Sequence, residues 1–192
     1  MKFEEFKKEL ENLREFAEGW RGKIYRGEWK GVPVSLKVAK NEHVIRAIRK
    51  EADILERLKG MEEFPQLILK GEDFFMYRFI EGTPLGKLNL SPEEEKGVLR
   101  KLLEIAYRLD RLGIAKEEFA HIYKNVLMDK RGRLYVLDFE RGKFTKRPTN
   151  VTQFLQLLTR RGYISRDEAI ELGRRHLKNG EEVFETLKAK LE

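Results

Sequence analysis

One segment, residues 121–144 (HIYKNVLMDKRGRLYVLDFERGKF), constrains the fold most, because it sets two polar side chains beside a predicted hairpin. Apolar residues flank a glycine-containing turn, which predicts strands over 126–128 and 133–137. Asn125 precedes the first strand and Asp138 follows the second. Two oxygen ligands held side by side suit Mg²⁺, which proteins usually bind with one or two groups together with substrate phosphates. The alternative is structural: Asn125 caps a turn and Asp138 ends a strand.

Positive charge is concentrated around this hairpin. Residues 121–147 contain eight Lys or Arg against three Asp or Glu, so this segment carries a net charge of +5 out of +7 for the whole chain. The sequence leaves two interpretations open. The run is either a solvated charged face or a binding surface for a polyanion, such as nucleotide phosphates alone or with a nucleic-acid backbone.

The composition bounds the class of protein. With 192 residues and 41% hydrophobic content, the chain can form one large domain or two small lobes with a real core. A charged fraction of 38% and the absence of Cys fit an intracellular protein of a thermophile. No apolar run is long enough to span a bilayer and the start does not resemble a signal peptide, so we expect a cytoplasmic protein with no membrane partner. The three His residues lack ligand spacing, so we expect no zinc.

The N-terminal half is predicted to be mostly β-structure around a buried lysine. Helical spacing of apolar residues from Phe3 to Leu13 predicts an N-terminal helix, and strands follow over 23–29 and 32–38. Lys37 lies in the middle of the second strand, where a lysine needs solvent or an anionic partner. Glu51, on the inward edge of the next predicted helix, can supply that partner.

The rest of the chain is mostly helical. Strands are predicted over 66–69 and 74–80, and a capping box at Ser91 begins a helix that Gly113 ends. The hairpin follows, and three further helices are predicted after it, beginning near residues 151, 165 and 180.

Taken in order, these parts resemble a protein-kinase-like fold. IYRGEWKGVPVSLKV is similar to the second and third kinase strands, KEADILERL to the C-helix and RFIEGTPL to the hinge. KNVLMDKRGRLYVLDFE resembles the catalytic-loop Asn and the metal-binding Asp-Phe-Gly, which are 13 residues apart here. The resemblance implies an α+β bilobal fold. Residues 1–82 would be an N-lobe with the N-terminal helix, Gly-rich loop, sheet and C-helix, and residues 83–192 a short helical C-lobe.

The resemblance also assigns roles to individual residues. It implies a phosphotransferase with an alcohol acceptor, in which ATP and Mg²⁺ are the cofactors. Lys37, oriented by Glu51, would hold the α and β phosphates, and Asn125 and Asp138 would hold Mg²⁺. The remaining ATP contacts would come from the glycines of the loop and from the backbone of the hinge, at Gly19, Gly22, Arg78, Phe79 and Ile80.

Three departures from the kinase pattern affect these roles. Ala17 stands where the first loop glycine is expected, and Glu140 replaces the last residue of Asp-Phe-Gly. Ala120 falls at the position of the catalytic Asp. A two-residue insertion in GIAKEEFAHIYKNVLM would instead put Glu118 there, in preference to Glu117, as the acceptor of a hydroxyl proton.

No Ala-Pro-Glu motif follows Asp138, so the chain resembles the minimal atypical kinases, including the RIO and KEOPS-associated kinases. The closest resemblance is to the archaeal RNA kinase family, which implies ATP-dependent phosphorylation of a tRNA ribose 2′-hydroxyl at a variable-loop uridine. Lys124 would then neutralise the transferring phosphate. The predicted tRNA contacts are Arg141, Lys143, Lys146 and Arg147, followed by Arg160, Arg161, Arg174 and Arg175.

Three other functions fit the same residues, and one of them is an ATPase that turns over ATP without an acceptor. A RIO-type Ser/Thr protein kinase would share the whole ATP site and differ only in the acceptor. A nucleotide-binding pseudokinase, acting as an RNA-binding or assembly module, is expected if Ala120 marks a lost catalytic base. The sequence indicates no particular protein partner.

Overall fold

The computed structural model describes residues 1–192 and has a mixed α+β fold, as the sequence predicted. The helices and strands in chain order are α1 (Phe3–Phe6), β1 (Glu11–Glu18), β2 (Gly22–Trp29), β3 (Val32–Ala39), α2 (Ile45–Arg57), β4 (Leu67–Lys70), β5 (Phe74–Arg78), β6 (Thr83–Pro84), α3 (Pro92–Leu112), β7 (Ile114–Ala115), β8 (Val126–Met128), β9 (Leu134–Val136), β10 (Lys143–Phe144), α4 (Asn150–Arg160), α5 (Arg166–Lys178) and α6 (Gly180–Lys190). No helix is both long and apolar enough to cross a membrane.

The chain divides into two compact units. The first unit contains Met1–Gly82 and Leu127–Gly142, and the second contains Thr83–Val126 and Lys143–Glu192. The assignment of residues 1–82 and 83–192 to two kinase lobes stays a prediction.

The first unit is built on a five-stranded antiparallel sheet in the order β1-β2-β3-β5-β4. β3 lies at its centre, and its Lys37 pairs with Ile24 of β2 and Phe75 of β5. One face of the sheet buries Val34, Leu36 and Met76 against the aromatic rings at the N-terminus. The central position of β3 fixes Lys37 from both sides, because each neighbouring strand contributes a ladder of backbone hydrogen bonds.

The predicted N-terminal helix is much shorter than its apolar pattern suggested. Helix α1 and a following 3₁₀ turn end by Glu9, and β1 begins at Glu11, so the helical assignment of Leu13 was wrong. Phe3 and Phe6 are buried against the sheet. Pairing with β2 accounts for the difference, since it satisfies the backbone groups of an edge that a longer helix would leave exposed.

Helix α2 confirms the predicted apolar face. Ile48, Ala52 and Leu55 are buried, and Glu51 lies on the same side, one turn from Ile48 and Leu55. A 3₁₀ turn over Glu42–Val44 leads into the helix, and the Asn41 side chain accepts a hydrogen bond from the His43 amide there. The helix therefore carries one carboxylate into the interior of the first unit.

The hairpin formed by β8 and β9 is fastened by Asp129. Its carboxylate accepts hydrogen bonds from the Arg131 and Arg133 amides, the Arg133 guanidinium and the Tyr135 hydroxyl. Burial alone would raise the pKa of Asp129, but these donors lower it to about 2. The turn is thus held by a carboxylate that stays ionised well below neutral pH.

The second unit is organised by the long helix α3. Ser91 and Glu94 form a complete capping box at its start, and Gly113 ends it in the left-handed conformation with φ of 73°. Both features were predicted from the sequence. Strand β10 then pairs with β7, which directly follows the helix, and α4, α5 and α6 complete the unit.

Candidate active site

A buried ion pair lies at the centre of the first unit. The Lys37 ammonium is 2.7 Å from Glu51 Oε1, and the two residues are only 7% and 3% exposed. The second Glu51 oxygen accepts a hydrogen bond of 3.0 Å from the Phe139 amide. The predicted partnership of Lys37 with Glu51 is therefore present, and it also fixes the backbone next to Asp138.

Burial and charge act against each other in this pair. Burial alone would lower the pKa of Lys37, but the surrounding carboxylates of Glu51, Asp138 and Glu140 raise it above its ordinary value. Burial raises the pKa of Glu51, and Lys37 only partly offsets that effect. The carboxylates therefore favour the charged form of Lys37, whereas burial disfavours the charged form of Glu51.

Two more carboxylates reach the same ammonium. Asp138 Oδ1 lies 3.7 Å and Glu140 Oε2 3.2 Å from Lys37 Nζ, and Arg21 contacts the other Glu140 oxygen at 3.4 Å. The Lys37 ammonium is thus shared among three carboxylates, and two of them lie two residues apart in the segment 138–140.

Asp138 has an unusual backbone conformation. Its φ is +66°, in the left-handed region, and its carboxylate accepts a hydrogen bond of 3.1 Å from the Glu140 amide. The Asp138 side chain is 42% exposed, in contrast to the buried pair beside it. Such strain is typical of residues that a site must hold in one orientation.

The two predicted loop glycines lie in the connection between β1 and β2 and at the first position of β2. The Gly19 amide donates to the Gly22 carbonyl at 2.9 Å, which closes the turn, and Trp20 at its tip is 93% exposed. A Cβ on Gly22 would lie 3.2 Å from Lys37 Cγ and 3.1 Å from the Val38 carbonyl oxygen. Because Gly22 has no Cβ, the start of β2 can pack directly against the Lys37 side chain.

The predicted hinge contacts lie at and beyond the end of β5. The Arg78 amide donates to Gln66 and the Phe79 amide to Pro33, each at 3.1 Å. The Arg26 guanidinium covers the Phe79 ring at 3.9 Å from its centroid. Any backbone donor to a bound base would consequently come from Ile80 or beyond.

In the second unit, Glu118 is the centre of a second polar cluster. Its Oε2 accepts a hydrogen bond of 2.7 Å from Asn125 Nδ2, and Lys124 Nζ lies 3.5 Å from Oε1. Lys116, which is fully buried, lies 3.7 Å from Oε2. Because Asn125 uses its NH₂ group on Glu118, its amide oxygen is directed elsewhere and is the atom suited to a cation.

Glu117 and Glu118 are placed very differently, although they are adjacent. Glu118 is 13% exposed within its cluster, whereas Glu117 is 33% exposed and lies 3.6 Å from Lys143. Glu117 also has a φ of +71°, which turns the chain so that the two side chains diverge. Ala120, which the resemblance to kinases aligns with a catalytic Asp, lies in the 3₁₀ segment that follows.

A buried amide supports the loop that carries Glu118. Asn150 is fully buried, accepts a hydrogen bond from the Lys116 amide and donates to the Ile114 carbonyl and to Asp110. Asp110 also accepts from the Val151 amide. These contacts tie the start of α4 to the end of α3 and to the segment before Glu118.

The predicted metal ligands and RNA contacts are distributed over both units. Asp138 lies in the first unit and Asn125 in the second, and no group of three or more His, Asp or Glu side chains is arranged to hold a metal ion. Shared magnesium binding by Asn125 and Asp138 stays a prediction. The four basic residues first predicted to contact tRNA are all exposed: Arg141, Lys143, Lys146 and Arg147.

Sequence reasoning missed three participants. It treated Glu140 only as a departure from a glycine and did not anticipate its bond to Lys37, and it gave Arg21 and Lys116 no role. Lys116 carried a usable signal, because it directly follows the apolar pair Ile114-Ala115, in the same way that Lys37 is embedded in a strand. No local pattern predicts the contact of Arg21, which is 119 residues from Glu140.

No protein-family model matches the chain, and no curated protein shows significant similarity to it.

Proposed function

We propose that this chain is an ATP-dependent RNA kinase with a protein-kinase-like bilobal fold, which transfers the γ-phosphoryl group to a tRNA ribose 2′-hydroxyl. The observation that carries the proposal is the buried Lys37–Glu51 pair with Asp138 beside it. A buried ion pair is a poor way to stabilise a fold, and it is better explained as the holder of a polyanionic ligand.

Lys37 is prepared to bind phosphate. Its pKa is raised, so the ammonium is fully charged, and Glu51 fixes its direction through a 2.7 Å contact. ATP phosphates would replace Glu140, the more exposed of its two closest carboxylates. Gly22 packs directly on the Lys37 side chain, at a distance that a Cβ atom would not allow, and so helps to hold the ammonium in place.

In the proposed reaction, the acceptor oxygen forms a bond to the γ-phosphorus while the bond from that phosphorus to the β–γ bridging oxygen breaks, and ADP leaves. Glu118 accepts the hydroxyl proton, and Lys124 offsets charge on the transferring group. Asp138, and Asn125 through its amide oxygen, would hold Mg²⁺, which neutralises phosphate charge when bound.

The charge distribution supports an RNA acceptor over a protein acceptor. The basic residues after Asp138 are exposed, and backbone phosphates dominate the affinity of proteins for nucleic acids. Replacing Arg141, Lys143, Lys146 and Arg147 together by Ala should weaken tRNA binding and lower the salt slope by about one for each phosphate that the protein no longer neutralises. An unchanged slope would identify these residues as an ordinary solvated face.

The function is tested by incubating the protein with γ-labelled ATP, Mg²⁺ and either total tRNA or a mixed protein extract. Glu118→Gln removes the proposed base, and Glu117→Gln is the matched control, because it changes the adjacent carboxylate outside the cluster. Protease-resistant label in tRNA that disappears only with Glu118→Gln is expected. Label confined to protein would instead establish a RIO-type Ser/Thr protein kinase.

One contact favours a second candidate, the nucleotide-binding pseudokinase that acts as an RNA-binding or assembly module. Glu140 bridges Lys37 and Arg21 and so holds the phosphate-binding ammonium in a self-contained cluster. In that case ATP binds, for instance in a calorimetric titration, but no label reaches RNA or protein. Glu140→Gly would then strengthen ATP binding without producing transfer.

A further inference from the structure

A cationic cavity in the second unit has no role in the function as proposed so far, apart from its residue Lys124. It has a volume of about 590 Å³, within the usual range of about 300–1,000 Å³ for small-ligand sites. The charged and aromatic residues that line it are Glu95, His121, Tyr123, Lys124, Arg160 and Arg161. With three cations and one carboxylate, the lining has an excess of positive charge and is suited to an anion.

The three cations of this cavity are held in different ways. Arg161 contacts Glu95 at 3.1 Å and covers the Tyr123 ring at 4.0 Å from its centroid, so its guanidinium is fixed in place. Lys124 lies 3.5 Å from the Glu118 carboxylate. Arg160 instead contacts a ring nitrogen of His121 at 2.9 Å, where the arginine can only donate.

Arg160 is therefore the cation whose charge no carboxylate balances. It is exposed, and its planar fork of donors matches the oxygens of a phosphate group. Lys124 links the cavity to Glu118, since it lines the first and contacts the second. An anion bound here would thus lie one side chain away from the proposed general base.

The chemistry of the proposed acceptor supplies such an anion. In an RNA chain, the carbon that bears the 2′-hydroxyl is bonded to the carbon whose oxygen carries the next phosphodiester. A serine or threonine hydroxyl has no phosphate in the equivalent place. We infer that the Arg160 cavity binds the phosphodiester on the 3′ side of the acceptor nucleotide and so selects an RNA hydroxyl. This inference rests on the proposed function and names the part of the substrate that the second unit recognises.

Arg160→Ala tests the inference through the kinetics of tRNA labelling. We expect the KM for total tRNA to rise about tenfold, which corresponds to about 1.4 kcal/mol, while kcat and the KM for ATP change less than about twofold. Arg160→Lys should lie between Arg160→Ala and the wild type. Lys178→Ala, which removes one exposed cation from α5 of the same unit, is the matched control and should leave all three constants unchanged.

Competition by small molecules separates a phosphodiester site from a general anion site. Uridine 3′-monophosphate should inhibit tRNA labelling at least about tenfold better than uridine, inorganic phosphate or uridine 5′-monophosphate, and Arg160→Ala should abolish that preference. Equal inhibition by inorganic phosphate, or a KM for Arg160→Ala equal to that of Lys178→Ala, would overturn the inference and leave the proposed function standing. No label in tRNA with the wild type would remove both.

Discussion

Lys37→Met and Glu51→Leu, made singly and together, measure the coupling free energy between the two side chains of the buried pair. Lys37→Met leaves a carboxylate that is 3% exposed without its 2.7 Å partner. Breaking a buried pair from one side costs about 3–5 kcal/mol. We expect about 3 kcal/mol for Lys37→Met at pH 7, because protonation of Glu51 relieves part of the cost.

The double variant should recover much of that loss. With both charges replaced by apolar side chains of similar size, neither Lys37 nor Glu51 leaves a buried charge behind, and Glu140 keeps its contact with Arg21. The two single costs should therefore exceed the cost of the double variant by about 2 kcal/mol. The assay is equilibrium unfolding in urea, with the midpoint and slope of each variant compared. Additive costs would show that Lys37 and Glu51 are not energetically coupled and would refute the reasoning.

The pH dependence gives the same experiment a second readout. The pKa of Glu51 is raised by burial above its ordinary value of 4.5, so protonation of this group favours the folded state. The resulting stability is present below pH 4.5 and is lost as the pH rises through the folded-state pKa. Lys37 lowers the pKa of Glu51, so in Lys37→Met the buried carboxyl is protonated more readily. The free energies of unfolding of Lys37→Met and the wild type should therefore differ less at about pH 4.5 than at about pH 7. An equal difference at both pH values would contradict the assignment.

Three further predictions concern other parts of the chain. Asp138→Ala should reduce phosphoryl transfer on the order of a hundredfold or more with an unchanged far-UV circular dichroism spectrum, and near-normal turnover would remove the metal role. Asn150→Ala should lower the free energy of unfolding by about 3 kcal/mol, because the buried Lys116 amide and Ile114 carbonyl each lose a partner. Asp129→Asn should remove stability that the wild type has above about pH 3.8 and loses as the pH falls towards 2, which acid titrations of the two proteins would detect.

The parts of the fold that depend on local chemistry were predictable. The capping box at Ser91, the left-handed cap at Gly113 and the hairpin around Asp129 all depend on residues within a few positions of one another. The helix predicted through Leu13 was wrong because residues 11–18 instead form the edge strand β1. That strand is stabilised by pairing with β2, which a local pattern does not contain. Helical periodicity over a few residues does not register such pairing.

The candidate site divides in the same way. Lys37 and Glu51 were predictable, because each is a charged residue within an otherwise apolar face and 14 residues separate them. Glu118 and Asn125 were chosen through the resemblance to the kinase catalytic loop, and their hydrogen bond to each other was not predicted. The contact of Glu140 with Lys37 was not, since it depends on how a segment 103 residues away is placed against β3.

The left-handed backbone of Asp138 makes this position a test of whether its carboxylate is needed. At a φ of +66°, glycine avoids a conformational cost of about 1 kcal/mol that aspartate bears. A library screened only for survival at high temperature should accumulate Asp138→Gly, and with it lose the carboxylate beside Lys37. Two selections should therefore be compared, one for heat survival alone and one for heat survival together with function. If aspartate is retained only in the second selection, the protein uses the carboxylate.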